Sequence, residues 1–384
     1  MDVLNLFVVA AFLLSAFLGW LTIPQIVLIS KEKRLFDVLS ERKSHTGAIP
    51  RLGGVAFFPA FIFSLSLVIG MRYCYGLTIS PFFEMDVMRE LAFLLAGGTV
   101  LYLVGLADDL KGLSYKTKFV AQVIAAILLL YSGNMITNLG GLFGIHHIPV
   151  LLGAFLTILL VVLLVNAYNL IDGIDGLCSG LSILTLLALG GWFWWQGIYI
   201  YALIANAMLG VVAVFFFFNV GGKRLKIFMG DTGSLTLGFL ITFLALRFYN
   251  LNVDTEMFQV DSAPAVVLGI LFVPAFDTLR VFCERMRNGL SPFHPDRRHI
   301  HHILLQLGLN HMESSMIIIG FQAFFILLNI LLKDIDINLL FALNIALGIG
   351  SITLLKVLIR RRAERTVEAE AVVERGGVGE AEKG

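Results

Sequence analysis

The stretch Asn166-Ala-Tyr-Asn169-Leu-Ile-Asp172-Gly-Ile-Asp175-Gly176 sets two carboxylates and two side-chain amides close together, with no basic residue among them. Long apolar runs, 151–165 and 177–195, flank it. A charged side chain at the centre of a bilayer costs about 2.5–3.5 kcal/mol even on lenient insertion scales. Unpaired aspartates therefore belong at a membrane face or beside a cation. The glycine after each aspartate lets backbone approach a ligand closely. The spacing predicts the floor of a polar site at the end of a membrane helix.

Other unusual polar motifs are spread along the chain. An early loop carries Lys43-Ser-His45-Thr-Gly47 and then Pro50-Arg51-Leu-Gly53-Gly54. Asp108-Asp109-Leu-Lys111 follows, with Lys116 and Lys118 just beyond. Asn219 precedes Phe228-Met-Gly-Asp231-Thr-Gly-Ser234, and the last long loop reads Pro292-Phe-His294-Pro-Asp-Arg297-Arg298-His299-Ile-His301-His302. Carboxylates on separate loops suit a divalent ion held together with substrate phosphate. Interleaved Lys, Arg and His suit phosphoryl transfer, which depends mainly on positioning and charge neutralisation.

Each motif also has a purely structural reading. Asp108-Asp109 fits a solvated helix end, and 228–234 fits a helix start capped by Asp231 or Thr232. Asp277 and Arg280, three apart, fit a local pair. Zinc at the histidines is disfavoured: no cysteine is near, and His299 and His301, two apart, do not share a helical face. His146 and His147 lie away from the other polar motifs, in a segment, 138–147, that fits a small hairpin. Convergence decides for function, because five loops carry one compatible chemistry on one predicted face.

The elements that must position these residues are membrane helices. Of 384 residues 58% are hydrophobic and 14% charged, and mean hydropathy is +0.89, which no solvated domain surface allows. Taking about 20 apolar residues per span, candidate crossings fall near 4–30, 53–71, 90–107, 118–136, 149–170, 177–196, 198–218, 232–250, 264–285, 314–333 and 338–359. The division at Gln196-Gly197 decides the parity. With the N-terminus outside, 24 of the 28 Lys and Arg lie on the inner side, and only Arg72, Arg89, Arg247 and Lys333 lie on the other. The expected fold is all-α: a polytopic integral membrane protein of about 11 transmembrane helices, N-terminus outside and C-terminus cytoplasmic. Residues 1–359 form the transmembrane catalytic domain, and 360–384 a charged cytoplasmic tail whose composition reads as disordered. The first apolar run, followed by Lys31, Lys33 and Arg34, reads as an uncleaved helix. Cys74, Cys178 and Cys283 are scattered and give neither a metal spacing nor a disulfide framework. No internal repeat is visible, which counts against an inverted-repeat transporter.

Taken in order, these motifs resemble the polyprenyl-phosphate N-acetylhexosamine-1-phosphate transferases, glycosyltransferase family 4. Lys43-Ser-His45, Pro50-Arg-Leu-Gly-Gly54, Asp108-Asp109, the 166–176 stretch, 228–234 and 294–302 all match, in family order. Pro-Asp-Arg-Arg-His-Ile-His-His is most similar to the undecaprenyl-phosphate GlcNAc-1-phosphate transferase branch; the muramoyl-pentapeptide branch has three consecutive histidines. That branch also has lysine three residues after the second aspartate, whereas Lys111 here is two after Asp109.

The resemblance implies transfer of GlcNAc-1-phosphate from UDP-GlcNAc to undecaprenyl phosphate, giving undecaprenyl-diphospho-GlcNAc and UMP. It implies catalytic roles for Asp108, Asp109, Asp231 and His301. Substrate contacts are implied for Lys43, His45, Lys118, Asn169, Asp172, Asp175, Asn219, Phe228, Arg297, His299 and His302. Mg²⁺ or Mn²⁺ would be held by Asp231 with Asn169. The implied partners are a UDP-sugar, undecaprenyl phosphate and the membrane, with no nucleic acid; a homodimer is left open. The implied setting is the bacterial inner membrane, with the active site on its cytoplasmic face. Another UDP-N-acetylhexosamine or UDP-MurNAc-pentapeptide is the alternative donor. A transporter or flippase is the distant rival, and a CDP-alcohol phosphotransferase lacks the rest of its acidic motif here.

Overall fold

The computed structural model describes residues 3–35, 49–76, 84–221, 225–253, 260–291 and 298–381. Lys43, His45, His294 and Arg297 lie outside the described residues. Within them the chain forms thirteen α-helices and no strand, with an antiparallel bridge between Asn138 and His147 in the small turn expected there. The helices are α1 (Val3–Glu32), α2 (Phe57–Cys74), α3 (Glu84–Lys111), α4 (Tyr115–Tyr131), α5 (Val150–Ile171), α6 (Leu177–Trp195) and α7 (Tyr199–Val220). There follow α8 (Gly230–Val253), α9 (Ala263–Ile270), α10 (Phe272–Arg287), α11 (Ile300–Gln306), α12 (His311–Leu331) and α13 (Ile337–Ala381).

Long apolar runs become helices because a bilayer offers backbone groups no other partner. Nine helices among the described residues are long and apolar enough to cross a membrane, and the bent pair α9–α10 makes a tenth. The remaining expected crossing is α4, whose 17 residues span about 26 Å, somewhat short of a hydrocarbon core of about 30 Å. At Gln196-Gly197 the chain does divide. Gly197, at φ 74°, ends α6, and the Ile198 N–H returns to Phe193 O at 2.9 Å, a Schellman closure that only a left-handed residue allows. α6 and α7 then pack side by side.

α8 is the centre. From Gly230 to Leu251 only Arg247 escapes full burial, and α3, α5, α6 and α9 pack around it. Its polar side chains turn inward on the helix itself: Ser234, Thr236 and Thr242 each donate to the carbonyl four residues back, at 3.1, 2.7 and 2.7 Å. That satisfies hydroxyls which would otherwise be costly in an apolar interior.

One expectation needs correction. The span predicted over 264–285 is not one helix, because α9 and α10 meet at 84° about Leu271. Pro274 has no N–H for Ile270 O and its ring clashes with that carbonyl. Gln322 of α12 supplies what the break leaves open: its Oε1 accepts from Val273 N at 2.9 Å, and its Nε2 donates to Ile270 O at 2.6 Å and Gly269 O at 3.1 Å. Farther along, the backbone of α13 is helical through the charged segment to Ala381. Ala, Glu and Arg recur there, and all three are good helix formers.

Candidate active site

Alternate helix ends meet at one end of the bundle, and close backbone approach starts the site. α3 crosses the first turn of α8 so tightly that a Cβ on Gly105 would lie 2.6 Å from Thr232 Cα. One turn further along α3, Asp109 therefore reaches the start of α8. Its Oδ1 accepts from Asp231 N at 2.8 Å, and its Oδ2 from Thr232 N at 2.9 Å and Thr232 Oγ1 at 2.6 Å. The N-terminal amides of α8 are thus capped by a carboxylate from another helix, favourable for both the orphan donors and the helix dipole. Neither Asp231 nor Thr232 caps α8 with its own side chain, as the sequence suggests; Asp109 does.

Capping frees the Asp231 side chain for the site. Its Oδ2 accepts from Lys118 Nζ at 2.8 Å, and the same ammonium reaches Asp108 Oδ2 at 3.2 Å. Asp108 Oδ1 also accepts from Leu113 N at 2.6 Å. Asn169, near the end of α5, lies beside the Asp231 carboxylate and donates from Nδ2 to Ser234 Oγ at 2.9 Å. Its carbonyl oxygen takes no hydrogen bond from a described residue. Asp172, just past α5, has no described hydrogen-bond donor either. Burial raises its carboxyl well above the usual carboxylate range, and Asp231 pushes the same way. Asp108 and Asp231, from the ends of α3 and α8, thus share one lysine, an excess of negative charge that favours a further cation.

The donor chemistry fits a hard divalent ion. No three His, Cys, Asp or Glu side chains among the described residues converge to hold a metal by themselves. Mg²⁺ does not require that, since it usually takes one or two carboxylates and completes its shell with water and phosphate. Asp231 and the Asn169 amide oxygen are hard donors of this kind.

The 172–176 turn is held from three sides. Asn219 accepts from Gly176 N at 2.6 Å and donates to Ile227 O at 2.9 Å, so it fixes two loops together. Asp175 Oδ2 pairs with Lys226 Nζ at 2.5 Å, and that ammonium lies 6.0 Å from the Phe228 ring centre. Phe228 is fixed by backbone pairing, its N to Pro50 O at 2.8 Å and its O from Gly53 N at 2.9 Å. His301 lies over the turn, because a Cβ on Gly173 would meet its Nε2 at 2.6 Å. His302 lies tilted against His301, ring centres 4.2 Å apart, while His299 runs parallel to His301 at 6.0 Å and pairs with Asp277 of α10 at 2.8 Å. The Asp277–His299 and Lys226–Asp175 pairs were missed by sequence reasoning. The Asp277–Arg280 pair, 2.6 Å, was visible as an i, i+3 spacing.

Fold and site define a class: a polytopic membrane protein with a carboxylate–lysine site where alternate helix ends meet. Residues 91–249 match the sequence profile of glycosyl transferase family 4. A protein of Escherichia coli O157:H7 named undecaprenyl-phosphate alpha-N-acetylglucosaminyl 1-phosphate transferase is 30% identical over 294 residues, 76% of this chain and 74% of its own. Proteins of the same name from Salmonella typhimurium and Haemophilus influenzae are each 32% identical. They share 74% of this chain and 72% and 75% of their own. The chain belongs to glycosyl transferase family 4. It is a membrane-embedded transferase.

Proposed function

We propose that the protein transfers GlcNAc-1-phosphate from UDP-GlcNAc to undecaprenyl phosphate, releasing UMP, as the first membrane step of a cell-surface polysaccharide. The observation that carries this reading is Lys118 set between Asp108 and Asp231 at 3.2 and 2.8 Å, with Asn169 beside them. An oxygen of the lipid phosphate forms a bond to the β-phosphorus of the nucleotide sugar. The bond from that phosphorus to the α–β bridging oxygen breaks, and UMP leaves with the electron pair. A phosphate monoester has its second pKa near 6, so the lipid phosphate is mostly dianionic at neutral pH and needs no strong base. Asp108 then serves as an orienting charge that holds Lys118 toward the phosphates. Asp109 keeps α8 in register with α3, and Asn219 holds the acidic turn. Lys226 and Phe228 flank the nucleotide side.

Asp231 and Asn169 would hold Mg²⁺ or Mn²⁺, which when bound supplies charge neutralisation at the diphosphate. The site faces the cytoplasm of a bacterial inner membrane, where UDP-sugars are available, with the lipid entering from the bilayer. Purified protein incubated with undecaprenyl phosphate and a panel of labelled UDP-sugars tests this. Label should pass to lipid from UDP-GlcNAc, EDTA should abolish transfer and Mg²⁺ restore it, and Asp231→Asn should lower kcat at least about tenfold, since an amide is a poorer hard ligand. Full transfer in EDTA would remove the metal. Preference for UDP-MurNAc-pentapeptide would change the donor.

A further inference from the structure

One buried carboxylate outside the acidic site gathers three donors. Asp277, in the second turn of α10, is 3% exposed. Its Oδ1 accepts from Arg280 Nη2 at 2.6 Å and from the Ile300 backbone N–H at 3.1 Å, and its Oδ2 pairs with His299 Nδ1 at 2.8 Å. Arg280 Nη2 also donates to the Arg298 carbonyl at 2.6 Å. α10 therefore grips three successive residues, Arg298, His299 and Ile300, at the start of α11. The next residue is His301, which lies against Gly173 between Asp172 and Asp175.

A carboxylate facing Nδ1 places a ring proton on that nitrogen, so the singly protonated ring offers Nε2 as its acceptor. The Nε2 of His299 is buried without a described partner, so the tautomer is set from the Asp277 side alone. We propose that Asp277 is a positioning residue for the transfer reaction, holding His299 as its Nδ1–H tautomer and, through residues 298–300, setting His301 against the Asp172–Asp175 turn. The role in transfer rests on the function proposed above; the tautomer does not. The competing account is a buried Asp–Arg pair that only holds the fold.

Alanine at 277 would strand Arg280 and destabilise the protein on either account. Asp277→Asn is the sharper variant, because it keeps an oxygen for Arg280 and Ile300 yet turns an N–H toward His299 Nδ1. Transfer should fall about tenfold or more in kcat, the usual scale for supporting partners of a functional side chain, with KM for the UDP-sugar within about twofold. His301→Gln should fall similarly, and the double variant should be no slower than the slower single one, because both act through one element. In protein labelled with [¹⁵N]histidine, His299 is identified by the signal lost in His299→Gln. It should carry its proton on Nδ1 in the wild type and on Nε2 in Asp277→Asn. A wild-type rate in Asp277→Asn, additive losses in the double variant, or an unprotonated Nδ1 in the wild type would each overturn the proposal. If the wild type transfers no GlcNAc-1-phosphate while the tautomer is as expected, the function reading falls and the hold of Asp277 on His299 stands.

Discussion

Burial holds the His301 imidazole neutral: at 2% exposure its pKa is pushed down to about 3, with His302 adding to the effect of burial. In the unfolded chain the ring takes a proton near pH 6.5. The contribution of this neutral ring to stability is therefore fully present above about pH 6.5 and is lost progressively as pH falls toward 3. At pH 5.5, one unit below the free value, the loss is about 1.4 kcal/mol. Thermal unfolding of the detergent-solubilised protein at pH 7.5 and 5.5 should show acid sensitivity that His301→Gln reduces; equal sensitivity in the two proteins would refute a buried neutral ring. The same residue shows how far sequence carries at this scale. Asp108, Asn169, Asp172, Asp231 and His301 were legible because their types are costly in apolar surroundings. Their partners were not. Asp109 caps a helix that begins 121 residues later and His299 pairs 22 residues back, distances at which no periodicity connects two side chains.

At the scale of elements, apolar runs located the helices well, and the one misjudged span is instructive. Residues 264–285 have the length and hydropathy of a crossing, yet the chain turns by 84° within them. Pro274 was visible, but α1 runs unbroken past Pro24, so proline alone does not decide. Gln322 makes the difference at 274, since one side chain on α12 serves Val273 N, Gly269 O and Ile270 O. The break matters because it aims α10, with Asp277 and Arg280, toward the histidine segment. Gln322→Leu would leave those three backbone groups unserved in an apolar interior. Each buried group left unsatisfied costs about 1–3 kcal/mol, and partial relaxation brings the expected net loss to about 2 kcal/mol. Unfolding in mixed detergent micelles measures it, and an unchanged midpoint would mean that other contacts hold the bend.

For the whole molecule the open quantity is orientation, and the charges at the two ends of the bundle argue for one answer. In the predicted topology the side of the polar motifs carries 24 of the 28 Lys and Arg, including Arg360, Arg361 and Arg362. The exceptions at the far end are compensated locally. Arg89 meets Asp86 at 3.0 Å, Arg247 meets Glu90 at 3.2 Å and lies over the Tyr201 ring at 4.9 Å, and Lys333 meets Asp334 at 3.8 Å. Arg72 is buried at 1% exposure. Little uncompensated positive charge is left there to compete for the inner face. Each basic residue near an anionic membrane surface adds about 1 kcal/mol of attraction, so an inverted protein would oppose many such terms at once. The separation of α6 from α7 at Gly197 agrees with the two crossings expected there. We therefore expect the C-terminus in the cytoplasm and the N-terminus outside. A reporter active only in the periplasm, fused after Lys383, should stay silent, and the same reporter placed in the 138–147 turn should be active. A strong periplasmic signal at the C-terminus would put Asp108, Lys118 and Asp231 on the side away from UDP-sugars, and the proposed reaction could not stand in that form.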